Sequence, residues 1–458
     1  MARLPSFAKV WFALSIAVLS FLYGAAVGGW KWFPYAFLKQ AVQQGKTLYR
    51  AWSPAPYQAQ FMGPRVYDRK GARRPRPERM RPGMTLVASY WNWDGAGRSG
   101  PGVKLIDRQG RTVHEWRVDR TELFPDSVDL HSNPRKSALH GSYLFPDGNL
   151  LVNLDYIGTA RLDACGDVLW TLAEKTHHSI ARASDGSFWI PGVSPTRRTR
   201  SARYPDGYPG IEQPVWIDQI LHVAQDGEVL DRINVLDILY ANDLERHLIE
   251  GLGPYPHEIP TDPTHLNDVE PLDPSVADEY PLFEAGDLLV SLRHPSLVFV
   301  FDPASGTVKW HGSHPFIHQH DPDFIGQGWI GVFDNNNDPT RRGTMLGGSR
   351  VVTVQPHTDS VRVRFPTRHS APFYTATAGS WQLLAGGTLL LTESRAGRVV
   401  EVAPSGRTVW EWVRAPYDPD ESQVPFITEG TRHDLTRAEV ASWPCSPDDS
   451  TNVPGRNG

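Results

Sequence analysis

From Met84 onward the chain keeps returning to one phrase: a leading residue, an alternating apolar strand, a tight turn, a second apolar strand, another turn and an aromatic-tipped strand. His140 opens HGSYLFPDGNLLVNLDYIGTARLDACGDVLWTL, and His178 opens HSIARASDGSFWIPGV, continued by QILHVAQDGEVLDRI. In both, an Asp-Gly pair (Asp147-Gly148 and Asp185-Gly186) falls seven residues after the histidine. Asp-Gly between alternating runs is hairpin chemistry, because the turn demands a positive φ that glycine adopts without a Cβ clash. His265 opens a third unit, lengthened around Asp273 to Glu284 and ending DPASGTVKW at Trp310. His320 opens a fourth, and Trp381 begins a fifth. Gly102 to Trp116 matches the outer half of one more, whose inner strands come from Met84 to Trp91 or from the end of the chain.

A period of roughly 40 to 50 residues with about four strands in each unit is the signature of a β-propeller. The six units therefore predict an all-β fold, a six-bladed β-propeller over residues 84–432, with residues 433–458 as a C-terminal tail. Closing the ring hides the sheet edges. The apolar stretch Val424 to Gly430 is expected to complete the first blade and lock it. Sixteen Trp, 40 Gly and 39 Pro, against five Met, suit short strands and turns better than a helical bundle.

Ahead of the repeats, Val10 to Gly29 contains no charged residue, and Trp30, Trp32, Phe33 and Tyr35 follow it like an interfacial belt. Twenty mostly apolar residues are long enough to span a bilayer. Residues 1–30 are therefore read as an N-terminal transmembrane helix, with a cleaved signal peptide ending near Gly24-Ala25-Ala26 as the competing reading. Residues 31–83 follow as a juxtamembrane segment and an Arg/Pro-rich linker, YDRKGARRPRPERMRPG, which is expected to be solvated and stiffened by proline. Touching anionic headgroups is its alternative role. With 46 Lys+Arg against 51 Asp+Glu, the chain lacks the basic field of a nucleic-acid binder, so no nucleic-acid partner is expected. Cys165 and Cys445 allow one disulfide without requiring it, and their spacing matches no metal motif.

The innermost strand of each blade lines the central channel, so equivalent leading residues converge on one mouth. Histidine takes that place in four units: His140, His178, His265 and His320. Arg293 follows the apolar strand LLVSL, one strand beyond His265, and is expected toward the same interior. Any one of these has an ordinary structural explanation; four histidines in register with an arginine make an anion-binding cluster suited to a tetrahedral oxyanion. Neutral imidazole is a nucleophile and base near neutral pH, so the set fits sulfuryl or phosphoryl transfer through a covalent histidine.

At these residues the chain resembles the bacterial arylsulfotransferase family. LIDRQGRTVHEW is similar to that family's opening motif, HHSI at His177-His178 to its double-histidine blade start, and THLND, SLRHPS, SGTVKW, QHDPDF and VFDNN follow in the family's order. The resemblance runs from about Met84 to Trp412, and its most specific part is THLND…SLRHPS…QHD. It implies transfer of a sulfuryl group from an aryl sulfate to a phenol without a nucleotide sulfate donor, and no cofactor or metal. Carried over by motif, His320 is the nucleophile that becomes sulfohistidine, and His178, His265 and Arg293 hold the sulfuryl oxygens. His140 and His177 are candidate substrate-binding residues, Asn267 a further donor, and Asp321 a candidate for orienting His320. The corresponding localisation is a single-pass protein of the bacterial inner membrane with its propeller in the periplasm, or a secreted protein if the N-terminal segment is cleaved.

Two other functions compete. In a strand, His318 and His320 share a face, so a metal-dependent propeller hydrolase is possible in principle; the DNNND run, Asp334 to Asp338, lacks the glycine and distal glutamate of a hand-type calcium loop and is read as a turn. A propeller without activity, serving as a membrane-tethered binding module, is the other.

Overall fold

The computed structural model describes residues 7–30, 33, 61–93, 99–125, 138–249 and 259–445. The chain divides into two units, Met1–Ala59 and Gln60–Gly458. In the first, Phe7–Trp30 is a helix of 24 residues over the uncharged run. Some of its side chains are not among those described, and among the described residues no helix is long and apolar enough to cross a membrane. The fold thus adds no support to the expected span. Trp32, Tyr35, most of the expected juxtamembrane segment and the tail beyond Cys445 lie outside the described residues.

The second unit is a six-bladed β-propeller, each blade an antiparallel sheet of at least four strands. Blades 2 to 6 take their strands in chain order from the axis outward, starting at Leu139–Leu144, Ala181–Arg182, Leu266–Pro271, His320–Phe324 and Trp381–Leu384. Middle strands such as Leu288–Leu292 are buried along their whole length, because neighbouring blades cover both faces; this is why they read as unbroken apolar runs. Outer strands such as Val168–Leu172 are largely exposed. Aromatic residues near the rim fill the wedges between blades: Trp410 and Trp412 of blade 6 pack with Val87 and Ile106 of blade 1.

Ring closure uses the end of the chain. Ile427–His433 is the innermost strand of blade 1 and pairs antiparallel with Met84–Asn92, from Ile427 opposite Ser89 to His433 opposite Met84. The closing strand thus begins three residues later than Val424. The residues before it, Gln423–Pro425, pair instead with Met62–Pro64. After the ring, the described chain continues to Cys445. A helix at Arg437–Ala441 carries a capping box between Thr436 and Glu439. Trp443 packs against Trp116 and His114, and Cys165 bonds to Cys445 with the Cα atoms 5.1 Å apart.

Residues 61–83 depart from the solvated linker of the sequence reading. Gly71–Arg73 adds a fifth strand to the outer edge of blade 6 by pairing with Val413 to Glu411. Arg69 forks onto Glu411 at 2.7 and 2.8 Å, and Tyr67 donates to Glu393 at 2.7 Å. The basic residues are held because blade 6 offers carboxylates that would otherwise be buried without enough cations.

Candidate active site

The four expected histidines do converge. The ring centroids of His140 and His178 are 4.4 Å apart, and those of His178 and His265 are 5.3 Å apart. His320 belongs to the same group, since His140 and His265 both act on its charge. Local backbone explains the convergence. The innermost strands carry bulges at His140-Gly141, at Asn267 and at Asp321-Pro322. A bulge bends the strand and re-aims its side chains. His178, His265 and Asp321 have left-handed φ of 57°, 50° and 50°. Beside His140, only glycine fits: Gly141 has φ 86°, and a Cβ there would lie 1.9 Å from the His178 carbonyl oxygen.

His320 is 5 % exposed and tightly oriented. Its Nδ1 lies 2.6 Å from Asn335 Oδ1 and 3.2 Å from the His318 carbonyl. The Asn335 amide donates its Nδ2 hydrogens to the Thr375 and Ala378 carbonyls at 2.9 and 2.8 Å, so its oxygen must face His320. Both neighbours of Nδ1 are acceptors. The proton therefore sits on Nδ1, and Nε2 keeps its lone pair. Burial, then the nearby Arg293 charge, hold the ring well below the usual histidine range, so it is neutral at pH 7. His178 is likewise pushed well down, by burial first and by His140 next.

His265 is held from the other side. Asp262 Oδ2 lies 2.6 Å from its Nδ1, and Asp262 Oδ1 accepts from its backbone N–H at 3.0 Å. Burial works against the Asp262 charge, but the His265 hydrogen bond together with the charges of His265, His294 and His177 outweighs it and keeps the carboxyl below its ordinary value. His294 stacks on His265 with centroids 4.5 Å apart and its Nδ1 is 2.8 Å from the Asp262 carbonyl. Arg293 is anchored by its backbone N–H on the His265 carbonyl at 3.0 Å. For His140, burial opposes protonation but Asp155, 3.4 Å from its Nδ1, prevails and raises it.

Three expected residues take other places. His177 is fully buried behind His178, with the two Nδ1 atoms 2.9 Å apart and Asp218 3.7 Å from its Nε2, so it supports His178 and does not line the cavity. Asp321 does not orient His320: its left-handed backbone turns the carboxylate to the Trp381 N–H at 2.7 Å. Asn267 spends an amide hydrogen on the Gln319 carbonyl at 2.7 Å, while its Oδ1 has no partner. Sequence reasoning missed Asn335 and Asp262. VFDNN was visible as a motif, but only the tertiary fold puts its first asparagine, Asn335, against His320; the spacing Asp262-x-x-His265 was the available signal for the other.

Among the described residues, two trios bring possible ligand atoms within 4.8 Å of one another: His140, Asp155 and His178, and Asp262, His265 and His294. In the second, Arg293 acts on Asp262 and His294, and its charge opposes a cation there. The DNNND run is structural on its acidic ends, with Asp334 on Arg350 at 2.9 Å and Asp338 accepting from Met345 N–H at 2.8 Å. The cluster as a whole offers a neutral imidazole at His320, the nearby Arg293 charge and further histidines as donors, a set that suits moving a tetrahedral anion.

Among solved structures the chain is similar to a protein of unknown function from Bacteroides caccae, at 13% identity and TM-score 0.45, covering 72% of this chain and 93% of that one. It is also similar to an inactive virginiamycin B lyase variant from Staphylococcus aureus with quinupristin, at 9% identity and TM-score 0.37, covering 72% and 84%. The WD40 β-propeller domain of Doa1 matches at 9% identity and TM-score 0.38, covering 74% and 88%. No curated protein matches the chain. The sequence model of the family described as arylsulfotransferase (ASST) matches residues 156–415, more than half of the 458 residues and the stretch holding His178, His265, Arg293 and His320. The chain belongs to the arylsulfotransferase family.

Proposed function

We propose that this protein is an aryl sulfotransferase that moves a sulfuryl group from an aryl sulfate to a phenol through sulfohistidine at His320. The observation that carries the reading is the orientation of His320, whose Nδ1 proton is held by Asn335 while Nε2 stays neutral and free to attack. In the first half-reaction a bond forms between Nε2 and sulfur as the sulfur–oxygen bond to the aryl group breaks. Arg293 and His178 meet the charge on the transferred oxygens. His265, its Nδ1 proton held by Asp262, returns a proton to the departing phenolate. In the second half it takes the proton of the incoming phenol, whose oxygen attacks sulfur and releases His320 as neutral imidazole. The two halves share one site, so the kinetics are ping-pong.

The propeller is tethered to a membrane by the uncharged run Val10 to Gly29 and faces an oxidising compartment, the bacterial periplasm. The Cys165–Cys445 disulfide supports the compartment, because such bonds persist outside reducing cytosol.

The test is sulfuryl transfer from 4-nitrophenyl sulfate to phenol, with His320→Asn alongside. The wild type is expected to release 4-nitrophenolate in a burst and to carry one labelled histidine, and the variant to do neither. No turnover and no sulfated protein across a broad panel of aryl sulfates would overturn the activity. Full activity in His320→Asn would overturn the nucleophile alone.

A further inference from the structure

His140, His178 and His320 form one wall of a cavity of about 980 Å³, which His265 and Arg293 do not line. The rest of its lining mixes apolar side chains such as Phe324, Trp381 and Leu383 with a group of buried carboxyls. Asp268, Glu270, Asp321, Asp323 and Glu429 all face it, on the innermost strands of blades 4, 5 and 1, and among the described residues no lysine or arginine does. These carboxyl groups act on one another: Asp323 bonds to Glu270, and Asp268 lies near Glu270, Asp321, Asp323 and Glu429. Neutral partners reach four of them: Ser142 donates to Glu429 at 2.7 Å, the Trp381 N–H to Asp321, the Ser179 hydroxyl to Asp268 and the Phe324 N–H to Glu270. A second feature of the same cavity points to a ligand. Asn267 is 4 % exposed and lines it, and with its amide nitrogen committed to the Gln319 carbonyl its Oδ1 is a buried acceptor without a donor. His140 lies near Glu429, but no cation acts on Asp268, Glu270 or Asp323; a buried acceptor left unmatched and three enclosed carboxyls without a cation are both costly arrangements that a positively charged hydrogen-bond donor relieves together.

We infer that this cavity takes a cationic phenol, with the hydroxyl at His320 and an ammonium group among Asp268, Glu270 and Asp323, so that the acceptor class of the proposed sulfotransfer is phenolic amines. The inference rests on the reading of the site as a sulfotransferase. Its geometry is consistent along one strand: across the bulge, His320 and Asp323 stand opposite Phe333 and Gly331, two residues apart on the partner strand, so they are separated by about 7 Å at the rise of a β-strand. The cavity is at the upper end of the usual range for small-molecule sites, about 300 to 1,000 Å³. The carboxyls respond as the crowding demands. Burial first, then mutual repulsion, raises Glu270 to about 8, and burial raises Glu429 to about 7 and Asp268 to about 6. Without a cationic guest Glu270 holds its proton at neutral pH; with one it releases it.

The experiment uses the full chain and three matched phenols: tyramine (cationic), tyrosol (neutral) and 4-hydroxyphenylacetate (anionic). Binding is followed by calorimetry, and transfer from 4-nitrophenyl sulfate by acceptor kcat/KM. Tyramine is expected to bind at least tenfold tighter than tyrosol, to release protons on binding, and to lead in kcat/KM; the anion is expected to be poorest. Glu270→Gln should cut the tyramine preference at least threefold while leaving tyrosol within twofold, and Asp268→Asn serves the same purpose if the first variant does not fold. Equal binding of the three phenols, or an undiminished preference in a folded variant, would overturn the inference. So would tight calcium binding in the cavity without discrimination among the phenols. Selective tyramine binding with no transfer to any phenol would leave the cation site standing and overturn the sulfotransfer reading instead.

Discussion

Replacing Asn335 by alanine removes the acceptor that keeps the His320 proton on Nδ1. In the wild type the amide is fixed by three contacts, 2.6 Å to His320 Nδ1 and 2.9 and 2.8 Å to the Thr375 and Ala378 carbonyls. It cannot turn over without aiming its oxygen at two carbonyls. In Asn335→Ala the imidazole is free to carry its proton on Nε2, the atom that must attack, and only the longer contact to the His318 carbonyl at 3.2 Å still favours the productive tautomer. A positioning hydrogen bond of this kind contributes about 1–3 kcal/mol, so the loss is about 10- to 100-fold. It should appear in the rate of histidine sulfation, followed as the pre-steady-state burst of 4-nitrophenolate, with a smaller change in donor KM. The remaining contact keeps the variant above His320→Asn. A burst rate within twofold of wild type, in a variant whose circular dichroism and melting are unchanged, would refute the argument that tautomer control at His320 limits the reaction.

Asp262→Asn keeps the shape beside His265 and removes the charge, so transfer to weakly acidic phenols should fall about 10- to 100-fold while strongly acidic phenols are less affected; a uniform loss across acceptors would count against His265 as the proton carrier. Gly141→Ala forces a Cβ to within 1.9 Å of the His178 carbonyl at a left-handed φ, and should cost about 1–3 kcal/mol in denaturant unfolding together with most activity. Cys445→Ser opens a loop with a sequence separation of 280 residues, and is expected to cost about 2–5 kcal/mol, with Trp443 fluorescence reporting release of the tail. Stability should also vary with pH in a predictable way. Glu270 and Glu429, raised by burial to about 8 and about 7, bind more protons folded than unfolded, so the stability they contribute is lost as pH rises through those values. His178 and His320 are depressed by burial and act oppositely, weakening the fold as pH drops below the unfolded histidine value of about 6.5. Between pH 6.5 and 8 (about the span from that value to the Glu270 value) the carboxyl trend prevails, so the melting temperature of the ligand-free protein should fall, and Glu270→Gln should flatten the slope. A rising melting temperature over that span would refute it.

Much of this architecture was legible from residue order. Asp147-Gly148 and Asp185-Gly186 announce hairpins, and both form tight turns with glycine φ of 85° and 88°. The buried middle strands announce themselves as apolar runs, since a strand covered on both faces has no need of alternation. The leading histidines were legible because the repeat gives equivalent places to residues far apart in the chain. Hydrogen bonding across blades was not. Asn335 reaches His320 across the turn that joins two strands and is itself held by Thr375 and Ala378, the approach to the next blade; Asp321, the nearer residue in sequence, is turned away by its own backbone. The basic stretch before Met84 misled for a related reason: its arginines look solvated until Glu411 and Glu393 of blade 6 are brought alongside.

Residue order was enough to give six repeated units, closure by the chain's last strand and the grouping of four leading histidines, because periodicity and turn chemistry are local properties. Folding was needed to settle which nitrogen of His320 is free, which carboxylate holds His265, and that the buried carboxyls of Asp268, Glu270, Asp321, Asp323 and Glu429 share one cavity. Those depend on burial and on partners dozens or hundreds of residues away, and only closure of the ring brings them within hydrogen-bonding distance.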